Sequence, residues 1–148
     1  ARAARKLREQ DSTASLMQIY ITTKPFGSAP RYANSAIGTI DPPSSYTPAL
    51  ISRASTLLES IYRSGFRYKK AGIFLTGIHP EGMQMRLFDR YDVRERQIMQ
   101  AVDVLNRKWG RGIVRSAAEG TLQRWHMKQS SVSSRFTTSW DELLHIVL

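Results

Sequence analysis

The clearest pattern along the chain is the alternation in "SLMQIYITT", residues 15–23. Met17, Ile19 and Ile21 fall on one side of an extended backbone, and Gln18, Tyr20 and Thr22 on the other. That period of two predicts a strand with one buried face. Upstream, "ARAARKLREQ" consists largely of helix formers and breaks at Asp11-Ser12, which predicts a helix over residues 1–10. After Thr23, "KPFGSAPRY" reads as a loop rich in Pro, Gly and Ser. "NSAIGTI", residues 34–40, predicts a short strand that stops before Asp41-Pro42-Pro43.

From Tyr46 the period becomes helical. Leu50, Ile51, Ala54, Leu57, Leu58, Ile61 and Tyr62 make a broad apolar stripe, and Gly65 stops it. "FRYKKAGIFLTGI", residues 66–78, then predicts a strand with a basic start and an apolar middle, closed by "HPEG". The order helix, strand, strand, helix, strand predicts an α+β fold: a small mixed or antiparallel sheet with two helices on one face. A small helix-containing module follows. "DVRERQIMQAVDVLNRKWG" predicts its helix, with Ile98, Ala101, Val102, Leu105 and Trp109 along one side. "GIVRSAA" is strand-like, and Trp125, Met127, Phe136 and Trp140 of the tail read as a small core. The shift in pattern near residues 80–90 sets the boundary between the two units.

Charge changes the picture more than composition does. Twenty-two Lys and Arg against twelve Asp and Glu give a formal net charge of +10 over 148 residues, which favours polyanionic partners, nucleic acid first. No stretch is apolar for long enough to span a membrane as a helix. The absence of cysteine excludes disulfides and thiolate metal sites, and His79, His126 and His145 have no ligand spacing. The helical pattern at Ala1 lacks a cap, so the chain is expected to begin inside a larger protein.

Chemistry that needs converging carboxylates is not expected. The twelve acids are dispersed, and Asp141-Glu142, the adjacent pair, point apart on either a helix or a strand. Neither a phosphate-cradling glycine loop nor a Ser-His-Asp arrangement stands out. The cations offer more. Lys24 and Arg31 lie in the loop after the first strand, and Arg67, Lys69 and Lys70 lead into the last one. Cations so placed grip a phosphate backbone without reading sequence. Between the two units stands "GMQMRLFDR", residues 82–90, in which two apolar side chains sit among charges just past a Pro and a Gly.

Five phrases carry a family resemblance: "ARKLREQ", "IYITTKPF", "YTPALISRASTLLESIYRSGFRYKKAGIFLTGIHPEG", "QMRLFD" and "RWHMKQSSVSSRFTTSWDEL". Collinear over essentially the whole chain, they resemble the C-terminal part of UmuC-type Y-family (translesion) DNA polymerases. The resemblance implies a little finger domain over residues 1–80, truncated at its N-terminal side. It implies a linker with a clamp-binding motif over 81–91, and a C-terminal domain of unassigned role over 92–148. It implies a non-catalytic piece of an error-prone polymerase of the SOS response, holding damaged or primer-template DNA. The catalytic acids and Mg2+ would belong to a palm domain elsewhere, leaving no cofactor here.

On that mapping Lys24, Arg31, Arg67, Lys69 and Lys70 face DNA. Gln84, Leu87 and Phe88 form the Gln-x-x-Leu-Phe signature for the beta sliding clamp, with Met85 and Arg86 departing from the usual residues between. The processed UmuD dimer and the RecA filament are implied as further partners, and the bacterial cytoplasm, at the nucleoid when active, as the location. The residues alone leave two alternatives open. One is a free-standing nucleic-acid-binding α+β module, and the other an interaction domain whose charge aids solubility.

Overall fold

Three antiparallel strands form the scaffold on which everything else is placed. In the computed structural model, residues 1–26, 30–82, 93–110, 112–120 and 133–134 are described. The elements are α1 (Arg2–Glu9), β1 (Ser12–Thr23), β2 (Ala33–Ser44), α2 (Thr47–Ile61), β3 (Tyr68–Pro80) and α3 (Val93–Trp109), then a single 3-10 turn, Ala117–Glu119. The strand order is β2-β1-β3, so β1 is central and both neighbours pair with it antiparallel. This is the α+β arrangement the pattern predicted, with the sheet purely antiparallel.

The alternation of β1 sets the two faces. Met17, Ile19 and Ile21 are buried, and they join Ala4 and Leu7 of α1 with Leu50, Leu57 and Ile61 of α2 in one core. Both helices therefore cover the same face, each adding an apolar stripe that must leave water. α2 comes very close over β2 because Gly38 has no side chain. A Cβ there would meet Leu57 Cδ2 at 2.9 Å. α2 opens with Pro48 in its first turn, where the missing N–H costs nothing. It ends at Ile61, before Gly65, which instead supplies the positive φ of +85° needed in the turn toward β3.

Two sequence expectations change here. β2 does not stop before Asp41-Pro42-Pro43 but runs through the prolines to Ser44. It is an edge strand, and an edge tolerates residues that cannot donate to a ladder. The irregularity is absorbed locally, since the register jumps from Leu16↔Thr39 to Ala14↔Ser44. "GIVRSAA" forms no strand among its described residues. Val114 N–H donates to Asn106 Oδ1 at 3.0 Å, and Asn106 Nδ2 donates to the Val114 carbonyl at 2.8 Å, so a side chain on α3 takes the bonds a strand neighbour would take. The chain then closes into the 3-10 turn, capped reciprocally by Ser116 and Glu119.

α3 is fixed to the first unit by arginine. Arg8 donates through Nε and Nη2 to the Asp103 carboxylate at 2.6 and 3.0 Å, and through Nη1 to the Ser45 carbonyl at 2.8 Å and Thr47 Oγ1 at 3.0 Å. The Arg8 and Asp103 side chains keep only 11% and 19% of their exposure, so this forked pair is largely out of water. Arg96 adds a looser contact to Glu81 at 3.5 Å. Removing one partner strands a buried charge. Arg8→Met is expected to lower unfolding stability by about 2–4 kcal/mol, measured by urea denaturation. The Arg8→Met, Asp103→Leu double variant should recover part of that loss. A double variant as weak as the sum of the singles would contradict a coupled pair.

Candidate nucleic-acid interface

β-Pairing brings the predicted cations together. Thr22 pairs with Ala33 on one side and Lys70 on the other, and Thr23 pairs with Tyr68. The Thr23 N–H donates to the Tyr32 carbonyl at 2.9 Å, and the Tyr32 N–H donates back to Thr23 Oγ1 at 2.9 Å. Thr23, Tyr32 and Tyr68 thus form a row across the end of the sheet. Lys24 follows Thr23, Arg31 precedes Tyr32, Arg67 precedes Tyr68, and Lys69 and Lys70 follow it. All five are exposed. Neighbouring strands lie about 4.8 Å apart, so the five side chains start from one narrow strip. Asp11, Asp41 and Glu81 fall toward the opposite end of the sheet.

The strip has an aromatic floor that the sequence reading missed. Tyr32 packs on Phe66 with ring centroids 4.9 Å apart, and Tyr68 lies 6.1 Å from Tyr32 and 5.5 Å from Tyr62. The Tyr32 hydroxyl donates to the Ile61 carbonyl at 2.7 Å and so ties the end of β2 to the end of α2. Arg63 sits over the Tyr32 ring, 5.1 Å from its centroid, adding a sixth cation to this end. The signal was present in "YRSGFRY", where three aromatics and two arginines crowd into residues 62–68.

One face of the sheet is covered by no helix among the described residues, and it is largely apolar. Of the five, Lys70 lies on that side by its pairing with Thr22. The rest of the face includes Leu16, Tyr20, Ile37 and Phe74, of which Ile37 is 67% and Phe74 55% exposed. Tyr20 and Phe74 stack with centroids 5.7 Å apart, and the Tyr20 ring lies across Gly72, where no side chain obstructs it. Cationic contacts therefore concentrate at the sheet's end, beside an apolar face.

Gln84, Leu87 and Phe88 lie outside the described residues, as do Trp125, Met127, Phe136 and Trp140. Among the described residues no group of three or more His, Asp or Glu is placed to hold a metal ion. No helix among them is long and apolar enough to cross a membrane.

The impB/mucB/samB family C-terminal domain matches residues 1–87, and the chain is a member of that family, the C-terminal region of UmuC-type Y-family proteins. Among individual proteins it is 36% identical to protein UmuC of Salmonella typhimurium, over 99% of this chain and 36% of UmuC. It is 34% identical to protein ImpB and 35% to protein SamB of Salmonella typhimurium, in each case over 96% of this chain and 34% of the relative. The chain thus spans about a third of the length of these relatives. A domain of unknown function, DUF4113, matches residues 96–146. No solved structure matches the chain significantly.

Proposed function

We propose that this chain is the DNA-holding, clamp-recruiting and non-catalytic part of an error-prone translesion polymerase of the bacterial SOS response. The observation that carries the reading is the gathering of Lys24, Arg31, Arg67, Lys69 and Lys70 at one end of the sheet. Five exposed cations on one strip offer a nucleic-acid backbone several phosphate contacts and give affinity without base readout. Family membership turns that general affinity toward primer-template or damaged DNA. The little finger boundaries at residues 1–80 remain part of this proposal, with 81–91 as linker and 92–148 as the UmuC-type C-terminal domain.

Holding DNA requires no reacting group from these residues. In the proposal, the Mg2+ ions and the carboxylates that bind them belong to the palm of the parent polymerase. Residues Gln84, Leu87 and Phe88 dock the parent on the beta sliding clamp, as an extended peptide with two apolar anchors. The processed UmuD dimer and the RecA filament are partners of the parent protein, which acts in the cytoplasm at the nucleoid.

The test is a salt titration of the whole chain on a primer-template duplex. Five phosphate contacts give a slope of log K against log salt of about −4.5, and a scrambled duplex of equal length should bind almost equally well. A flat salt response, or no binding at low salt, rejects the DNA-holding role.

A further inference from the structure

α3 has two working faces, and only one of them is engaged by the rest of the described protein. Arg96, Met99 and Asp103 meet the first unit: Met99 is 7% exposed, Asp103 holds Arg8, and Arg96 reaches Glu81. At about 100° per residue, Ile98, Leu105 and Trp109 lie within about 40° of one another and point about 140° away from Asp103. Ile98 is 51% exposed and Trp109 56%, with Ala101 exposed beside them and Leu105 half-buried. This is the apolar stripe that the sequence pattern singled out, and it faces away from the core.

We propose that this stripe is the seat of the chain's own last segment, residues 121–148. α3 would then be a bridge, latched to the DNA-holding unit by its polar face and forming the core of the second module with its apolar one. The DUF4113 match begins on α3 and ends inside that segment, so a single family unit contains both. The segment is long enough, at 28 residues, and brings Leu122, Trp125, Met127, Phe136, Trp140, Leu143, Leu144 and Ile146 in search of burial. It starts directly after Gly120, where the turn capped by Ser116 and Glu119 ends. A stripe of this kind on a free helix end would otherwise stay in water at a cost that grows with its apolar area.

The absence of cysteine makes the test direct. Ile98→Cys in the whole chain reports on the stripe, and Ser55→Cys on the exposed side of α2 serves as the freely reactive reference. Thiol labelling of Ile98→Cys is expected to be at least about tenfold slower than that of the reference. The slowing should persist at every protein concentration while sedimentation shows a monomer. Adding Leu105→Asp should restore fast labelling and open Arg124 and Lys128 to trypsin, with α1 to β3 still folded by circular dichroism. Labelling at the reference rate overturns the proposal, because the stripe is then open. Protection that grows with protein concentration also overturns it, because a second copy is then the occupant.

Discussion

Replacing Lys24, Arg31, Arg67, Lys69 and Lys70 together by Gln is expected to weaken binding to a primer-template duplex by about 100- to 1000-fold at moderate salt. The effect is large because these residues flank one row at the end of the sheet, so a single duplex can meet them together. Each single substitution should cost roughly the same modest factor, and each should flatten the salt slope by about 0.9. Stability should hardly change, since all five side chains are exposed and none belongs to the core. Arg63→Gln is a useful sixth variant, because its guanidinium is spread over the Tyr32 ring. It should lower affinity less than any of the five. Electrophoretic or fluorescence binding assays, with Tm as the folding control, read all of these outcomes.

The second large effect is expected at residues 84–88. On the proposed clamp docking, Leu87→Ala with Phe88→Ala should lower affinity for the beta sliding clamp by at least about 100-fold, because both proposed apolar anchors are removed. Gln84→Ala should cost about tenfold, the scale of a lost hydrogen-bond pair at an interface. Met85 and Arg86 differ from the residues usual between the anchors, so Met85→Leu is expected to strengthen binding slightly. DNA affinity should be untouched by all four changes, because none of them removes a cation. The rival account makes Leu87 and Phe88 core residues of this chain. It predicts that the double Ala variant loses its cooperative unfolding transition, which calorimetry on the purified chain would reveal.

Much of the fold could be read from the sequence, for identifiable reasons. The period of two in β1 is strict from Leu16 to Thr23 because one face meets α1 and α2 while the other meets no helix among the described residues, and burial enforces alternation. The stripe of α2 was legible for the same reason, although Leu58 and Tyr62 at its margin stay 38% and 55% exposed. β2 was misread because the prolines that argue against a strand are harmless on an edge. "GIVRSAA" was misread because β-branched residues look the same whether a strand or the Asn106 side chain satisfies their backbone.

Of the candidate site, the sequence supplies the cations but not their placement. Net charge and local runs pick out the cations, yet only pairing shows that Lys24, Arg31 and Arg67 flank the same row. The face covered by neither α1 nor α2 carries Leu16, Ile37 and Phe74, which no charge count reveals. The Arg8–Asp103 latch had no local signal, since its partners stand 95 residues apart and each alone resembles an ordinary surface charge.

Location, not total charge, is the central claim, and one comparison isolates it. Two variants lose the same five charges: one at Lys24, Arg31, Arg67, Lys69 and Lys70, the other at Lys6, Arg94, Arg107, Lys108 and Arg115, all exposed and all replaced by Gln. Their salt slopes on one primer-template duplex are then measured side by side. The account predicts a slope near zero for the first variant and one still near about −4.5 for the second. Equal losses in the two variants would contradict it, because the positive charge would then act only as a diffuse field.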